Sequence, residues 1–316
     1  MVLGLYPERA NEVIISGETE EGTLNESTLT IETDAVPEEM LGFTLREAQP
    51  ELMAEGLTFL SPSRAYPAAV DSNGDVRWYS SIMTSHQLKR LDNGLLLLTT
   101  MEEEREEYDH LTEMDMLGGV HQSITVDKNN VLNSAPLHHD TNILPNGNYL
   151  ALLHDGLDKY VEDEIAELDR ETGEVVHRIN FKDIFPTEMY EDYDGHQSDV
   201  GDWMHINAVW MVEEEDAILL SVRQQDLVMK LSYPEAEVER MLSYPEGWHE
   251  DLEGYLLEST DEDLKYPTGQ HAVMEMMRQW ILCYLIIIVF LLEGMKNITR
   301  RTVEPFSIAL TKRKTL

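Results

Sequence analysis

Short runs of alternating apolar and polar residues, separated by turn sequences, cover most of the chain. This pattern is typical of β-strands, because successive side chains of a strand point to opposite faces. Strand–turn–strand units recur from residue 65 onward, with Asn-Gly turns at 73–74, 93–94 and 146–147, the last two 53 residues apart. Four short antiparallel strands repeated at such a period predict the blades of a β-propeller. An irregular β-sandwich is the alternative.

One predicted hairpin, DWMHINAVWMVEEEDAILLSVR at 202–223, consists of two apolar strands joined by an acidic turn. An odd number of residues in that turn places His205 opposite Arg223. It also places Asn207 opposite Ser221, so that these four polar residues share one face. A strand with a polar, solvent-facing side would show the same alternation. The opposite face would carry Ile206, Ala208, Trp210, Ile218, Leu220 and Val222.

The chain is strongly acidic, with 61 Asp and Glu against 23 Lys and Arg and a net charge of −38. Such a surface repels nucleic acid and anionic membranes, so both are excluded as main partners. The single cysteine, Cys283, allows no internal disulfide. The start, MVLGLYPERANEV, has neither a basic segment nor an apolar run, and we therefore expect no signal peptide.

Composition divides the chain into three regions: a small N-terminal β-sandwich-like domain at 1–60, partial propeller blades at 61–277, and an atypical tail at 278–316. The tail holds 7 basic and 2 acidic residues, unlike the acidic body. Its apolar run of 13 residues, 280–292, is short for a membrane span and more usual in a buried segment. A truncated or frameshifted end is the expectation, with a short membrane anchor as the alternative.

Histidines recur at the predicted start of three inner strands, at His139, His205 and His271, about 66 residues apart. Inner strands of propeller blades point toward one axis, so these side chains are expected to converge, although any one of them also fits a hydrogen-bonded structural residue. Three histidines can bind zinc. Arg223 beside them would repel a metal, whereas histidine with arginine suits a tetrahedral anion, because the guanidinium pairs with two oxygens at once.

Strand alternation places His138 and His139 on opposite sides, so that only one of them reaches the axis. Six further histidines show no comparable placement and are interpreted as surface or packing residues: His110, His121, His154, His177, His196 and His249.

Three segments together, HHDTNILPNGNYL, DWMHINAV with Arg223 eighteen residues after His205, and GQHAV, resemble the PAPS-independent aryl sulfotransferases of bacteria, the arylsulfate sulfotransferase family. The start GLYPERANEV is similar to the beginning of that family's N-terminal β domain, and the resemblance covers about residues 3–275. It implies a six-bladed propeller that moves a sulfuryl group from a phenolic sulfate ester to a phenol. It further implies a ping-pong mechanism through a sulfated histidine.

Carried over by position, the resemblance makes His271 the nucleophile, His205 and Arg223 the sulfate-binding pair, and His139 a further active-site histidine. Asn207, beside His205, is expected to donate a hydrogen bond to the substrate. The resemblance implies no cofactor or metal. The sequence has no GxxxxGKS or GxxxxGKT phosphate loop, which agrees with a donor that is not a nucleotide. The implied partners are a small phenolic sulfate donor and a phenol acceptor, and a homodimer is considered. Relatives are often periplasmic or exported, whereas no signal peptide is expected for this chain.

The resemblance ends shortly after His271, where the family continues with further blades and this chain changes charge and strand pattern near Met277. We therefore interpret the chain as a C-terminally truncated or frameshifted aryl sulfotransferase, incomplete as a propeller. A non-catalytic β-propeller scaffold, or an inactive truncated homologue, is the alternative function. A metal-dependent hydrolase or lyase on the same fold is a third hypothesis.

Overall fold

The computed structural model describes residues 2–18, 22, 24–40, 43–49, 55–62, 66–101, 108–126, 137–154, 160–191, 193, 201–259, 265–276 and 279–282. The chain divides into two compact units. The first comprises Met1–Met101 and Leu111–Ser123, and the second comprises Glu102–His110 and Ile124–Leu316.

Strands dominate both units. The first contains β1 (Ala10–Glu18), β2 (Leu24–Glu32), β3 (Thr58–Leu60), β4 (Ala68–Val70), β5 (Val76–Tyr79), β6 (Leu88–Arg90), β7 (Leu96–Thr100) and most of β8 (His110–Met114) and β9 (Val120–Thr125). The second contains β10 (Leu137–Ile143), β11 (Tyr149–Leu153), β12 (Glu164–Leu168), β13 (Val175–Asn180), β14 (Ile206–Val212), β15 (Ala217–Val222), β16 (Leu227–Ser232), β17 (Val238–Leu242), β18 (Val273–Met276) and β19 (Gln279–Leu282). Helical structure among the described residues is limited to α1 (Glu188–Glu191), α2 (Glu250–Glu253) and the 3-10 turns Phe181–Asp183 and Glu213–Glu215.

The strands form successive antiparallel sheets whose order follows the sequence. Three sheets have four strands, β6-β7-β8-β9, β10-β11-β12-β13 and β14-β15-β16-β17, while β3-β4-β5 has three and β1-β2 and β18-β19 have two each. Consecutive four-stranded antiparallel sheets are the blades of a β-propeller, and the predicted all-β propeller class is confirmed. The blade number, the N-terminal sandwich and the domain boundaries stay predictions.

The predicted Asn-Gly turns at 93–94 and 146–147 join the first two strands of successive blades, whereas the turn at 73–74 joins β4 to β5. Gly94 and Gly147 have φ of 85° and 90°, a left-handed backbone that glycine adopts without a Cβ clash. Each glycine N–H donates to a carbonyl three residues earlier, at 2.9 Å to Leu91 and 2.8 Å to Leu144. The two turns are therefore equivalent and reproduce the sequence repeat.

The predicted register of the hairpin β14–β15 is wrong over most of its length. Ala208, not Asn207, pairs with Ser221. The reason is the turn, which has four residues: the 3-10 turn Glu213–Glu215 and Asp216 in a left-handed conformation with φ of 45°. An even turn shifts every pair by one residue relative to the odd turn that was expected.

A β-bulge at Asn207 then restores the expected register at the end of the hairpin. Ile206 pairs with Val222. One residue further, the N–H of Arg223 donates to the carbonyl of His205 at 3.1 Å. The extra residue at the bulge compensates for the even turn, so His205 lies opposite Arg223 after all.

Apolar residues cover both faces of this hairpin, which corrects the expected division into a polar and an apolar face. One buried cluster includes Ile206, Ile218, Leu220 and Val222. A second cluster includes Ala208, Val212, Ala217 and Leu219, with Trp210 packed against it. Because of the shifted register, Ala208 and Trp210 pack away from the other residues of their predicted face.

The larger cluster joins the blades β10–β13 and β14–β17 and supports the segment just before β14. Trp203 is 1% exposed, and its indole N–H donates to the buried carboxylate of Asp163 at 3.1 Å. This hydrogen bond connects the segment before β14 to the segment before β12. Both segments contribute residues to the site described below.

Most of the predicted tail at 278–316, with its apolar run, lies outside the described residues, as do Cys283 and His196. The exception is β19, which pairs with β18. Within the part of the chain that the structure describes, no helix has the length and apolar character needed to cross a membrane.

Candidate active site

Three histidine side chains that the sequence separates by about 66 residues lie together in the second unit. The ring centroids of His139 and His205 are 4.9 Å apart, those of His205 and His271 are 5.5 Å apart, and those of His139 and His271 are 6.0 Å apart. One ring nitrogen of each lies within 4.8 Å of those of the other two. The rings are therefore close enough to contact one small ligand together.

The backbone at this cluster adopts an unfavourable conformation. His139, His205 and the nearby Glu162 have φ of 43°, 50° and 56°. A left-handed backbone costs a residue with a side chain roughly 1–2 kcal/mol. Such conformations are kept where the surrounding structure enforces them, which is common at functional sites.

Two carboxylates hold Nδ1 of His205. The nitrogen lies 2.8 Å from Oδ2 of Asp202 and 2.7 Å from Oε2 of Glu162. A single N–H cannot point at both oxygens, and its direction fits a hydrogen bond to Asp202. Oε2 of Glu162 is buried and accepts no hydrogen bond within the described part of the chain, so its contact with His205 is electrostatic.

These carboxylates keep His205 protonated. Burial lowers the pKa of His205, but the hydrogen bond to Asp202 and the charges of Glu162 and Asp202 outweigh burial and raise its pKa to about 9. The carboxylates contact Nδ1, so the Nε2–H of this imidazolium remains on the other side of the ring for a ligand. His205 is thus a cationic hydrogen-bond donor at neutral pH.

His271 has the opposite character. Its Nδ1 lies 3.2 Å from the carbonyl of Gly269, which can only accept a hydrogen bond, so Nδ1 carries the proton and Nε2 carries the lone pair. Burial lowers the pKa of His271; the contact with Gly269 opposes this, and the charges of His205 and Arg223 lower the pKa further. His271 is therefore a neutral imidazole whose basic nitrogen is Nε2.

Gln270 holds the His271 segment against the blade β14–β17. Its side-chain amide donates to the carbonyls of Val222 at 3.2 Å and Leu227 at 2.7 Å, and Gln270 is 1% exposed. Its own carbonyl accepts from the amide of Asn207 at 2.8 Å. These bonds fix the backbone immediately before His271.

Asn207 consequently has a different contact from the one the sequence suggested. It is buried on the bulge of β14, and its amide nitrogen bonds to the Gln270 backbone. The arrangement supports a role in placing His271. The expected hydrogen bond from Asn207 to the substrate stays a prediction.

The expectation that His138 and His139 lie on opposite sides is wrong. Their Nδ1 atoms are 3.1 Å apart and their rings make an edge contact at 5.3 Å. Alternation fails because the pairing of β10 with β11 shifts between Leu137 and Thr141, where His139 has its left-handed backbone. His138 thereby becomes part of the site's surroundings.

Several groups at the site were not predicted. Glu162 and Asp202 lie shortly before strands. The chain contains many other acidic residues, and the strand pattern gives no reason to choose these two. His154, interpreted as a surface or packing residue, accepts the backbone N–H of Glu162 at 3.2 Å, and its ring is 4.9 Å from that of His138. The adjacent pair His138 and His139 was the one feature of the sequence that indicated an additional histidine at the site.

The same histidines resemble a zinc ligand set, since three nitrogens lie within 4.8 Å of one another. Zinc binds imidazole nitrogens that carry no proton. Asp202 and Glu162 contact Nδ1 of His205, an arrangement that suits a protonated His205 and also suits a histidine that binds a metal through Nε2. The positive charge of Arg223, which acts on His271, favours an anion over a dication.

A protein-family model described as "Arylsulfotransferase (ASST)" matches residues 44–290, which is 247 of the 316 residues. The matched range contains His139, His205, Arg223 and His271. A comparison with curated protein sequences finds no significant match.

The solved structures to which this chain is similar share little sequence identity with it and superpose on it only partly. Virginiamycin B lyase from Staphylococcus aureus shares 10% identity over 86% of this chain and 70% of that chain, with a TM-score of 0.43. The Cps50 (Swd1) beta-propeller domain from Myceliophteria thermophila shares 13% over 73% and 63%, with a TM-score of 0.40. BamB from Moraxella catarrhalis shares 9% over 85% and 66%, with a TM-score of 0.37. Similarities this low carry no argument about chemistry.

Proposed function

The chain belongs to the arylsulfotransferase family, and we propose that it transfers a sulfuryl group from a phenolic sulfate ester to a phenol by a ping-pong mechanism, through a sulfated His271. Family membership supports aryl sulfotransferase activity in general and implies small-molecule donors and acceptors. One observation supports the covalent route: the ring centroids of His205 and His271 are 5.5 Å apart, and the protein contacts each ring at Nδ1, with a carboxylate at His205 and a carbonyl at His271.

In the first half-reaction, the lone pair on Nε2 of His271 attacks the sulfur of the donor. The N–S bond forms as the S–O bond to the aryl group breaks, and its electron pair leaves on the phenolate oxygen. The sulfated ring is positively charged, and its Nδ1–H donates to the carbonyl of Gly269, which stabilises that charge. Two easier displacements thus replace one difficult direct transfer.

The cations beside His271 stabilise the sulfuryl oxygens during this transfer. His205 supplies an N–H from an imidazolium, and Arg223, the residue that follows β15, supplies a guanidinium that matches two oxygens. Hydrogen-bond donors already in place stabilise the charge that develops on these oxygens, so the site needs little reorganisation during the transfer. Asp202 and Glu162 act through His205, because they contact its Nδ1.

In the second half-reaction, a phenol replaces the released product. Its oxygen attacks the sulfur as a base removes its proton, the N–S bond breaks, and His271 returns to its neutral form. The acceptor leaves as a sulfate ester. No nucleotide takes part, so the free energy of transfer comes from the donor ester itself.

Initial-rate kinetics of the purified chain test the proposed route, with p-nitrophenyl sulfate as donor and phenol as acceptor. We expect parallel double-reciprocal plots, because product leaves before the acceptor binds. Without acceptor, p-nitrophenol is expected to appear as one stoichiometric burst.

Intersecting plots, with no burst, would indicate direct transfer in a ternary complex and contradict the sulfated intermediate. A folded chain with no transfer at all would favour the non-catalytic scaffold. Loss of transfer on treatment with a chelator, restored by zinc, would favour the metal-dependent alternative.

A further inference from the structure

We propose that His138 is a positioning residue that fixes His139 in the tautomer with its proton on Nδ1, so that Nε2 of His139 acts as the proton acceptor of the site. The tautomer follows from hydrogen-bond geometry alone. Its use in sulfuryl transfer rests on the proposed function.

The argument begins at a backbone carbonyl. Nε2 of His138 lies 3.1 Å from the carbonyl oxygen of Leu153 in β11. A carbonyl oxygen accepts hydrogen bonds and donates none, so Nε2 of His138 must carry a hydrogen. In a neutral imidazole the other nitrogen then carries a lone pair.

That second nitrogen of His138 contacts His139. The two Nδ1 atoms are 3.1 Å apart, a hydrogen-bond distance. Because Nδ1 of neutral His138 can only accept, Nδ1 of His139 must donate. The proton of neutral His139 is thus on Nδ1, and its Nε2 is basic.

The surroundings keep His138 neutral. It is 8% exposed, and burial lowers its pKa well below the usual value, with further contributions from the charges of His154 and His139. Among the described residues, the titratable groups near the pair also include Glu162, whose Oε1 is 4.0 Å from Nδ1 of His139, and the rings of His205 and His271. A second positive charge at His138 would lie beside the imidazolium of His205.

The tautomer suits the second half-reaction. As the acceptor oxygen attacks the sulfur, its proton moves to Nε2 of His139, whose positive charge is shared through Nδ1–H with His138 and lies near Glu162. The proton then leaves Nε2 of His139 for solvent, and the phenolate released in the first half-reaction takes up a proton from solvent. His139 is therefore neutral again when the next donor binds, and protons balance over one complete cycle.

Nitrogen NMR of the full-length chain with histidine labelled at both ring nitrogens tests the assignment directly. The signals of His139 are identified by their loss in the His139→Gln variant. At neutral pH we expect Nδ1 of His139 to show the shift of a protonated nitrogen and Nε2 that of an unprotonated one. In His138→Leu the proton is expected to redistribute toward Nε2.

Kinetics give a second readout that a merely structural role would not produce. His138→Leu is expected to slow the acceptor half-reaction by about 10- to 100-fold, a part of the 10²–10⁴ that general acid–base catalysis supplies. The donor burst should change less than about threefold, since it uses His271. His138→Asn, whose Oδ1 can accept from Nδ1 of His139, is expected to restore most of the rate.

His177→Leu is the matched control, because His177 also contacts a carbonyl, that of Pro234 at 3.0 Å, but lies outside the cluster. A wild-type spectrum with the proton of His139 on Nε2 would overturn the proposal, whether or not the leucine variant folds. Equal slowing of both half-reactions, without rescue by asparagine, would also overturn it. The spectrum is independent of catalysis, so failure of the proposed sulfuryl transfer is distinguished from failure of this inference.

Discussion

Replacing His271 with alanine is expected to lower kcat/KM for aryl sulfate transfer at least about 10⁴-fold, because the variant has no atom that can form the N–S bond. Binding of the donor should weaken little, since His205 and Arg223 are unchanged. The acceptor-free burst of p-nitrophenol is expected to disappear, which stopped-flow absorbance measures. The effect should therefore fall on kcat rather than on KM.

His177→Ala provides the control for removal of a histidine at a distance from the site. Added imidazole offers a second comparison, because it can enter the space left by the His271 ring and accept the sulfuryl group. A His271→Ala chain that retains the burst and transfers within about tenfold of the wild-type rate would contradict the assignment of the nucleophile.

Loss of the positive charge on His205 is expected to have the second largest effect. His205→Gln should lower kcat/KM by about 10²–10³-fold, because it removes a charged donor aimed at the sulfuryl oxygens. In the wild type, the pKa of His205 is raised from 6.5 to about 9, so the imidazolium is present at neutral pH and is lost as pH rises through about 9. Transfer is expected to fall over that range.

The same shift affects stability. The contribution of His205 and its carboxylates to folding is fully present below about pH 6.5 and is lost as pH rises through about 9, because the folded state binds the proton more tightly than the unfolded state does. Glu162→Gln removes one carboxylate from Nδ1 and should move the fall in transfer to lower pH. A pH profile that is unchanged in Glu162→Gln would contradict this account of His205.

Local sequence was sufficient to predict the strand pattern and the Asn-Gly turns, but not the length of the turn between β14 and β15. Alternating residues and Asn-Gly turns predicted blades because both signals depend on neighbours along the chain. A repeated histidine could also be predicted, since equivalent positions in successive blades point the same way. His86, 53 residues before His139, shares the left-handed backbone with φ of 60°, yet it was not recognised as part of that repeat.

The features that were missed depend on backbone irregularities and on contacts distant in sequence. The bulge at Asn207 leaves no local signature, yet it compensates for the even turn and preserves the pairing of His205 with Arg223. Glu162 contacts His205 across 43 residues of sequence, and Gln270 contacts Val222 across 48. Alternation also assumed regular strands, which explains the wrong expectation for His138.

Intact-protein mass spectrometry of the purified chain, mixed with p-nitrophenyl sulfate in the absence of acceptor, tests the covalent mechanism most directly. We predict a stable increase of about 80 Da, the mass of an SO₃ group, that maps to His271, is absent in His271→Ala and disappears when phenol is added. A folded chain that transfers sulfuryl groups at full rate without this adduct, or that carries it on another residue, would contradict the proposal.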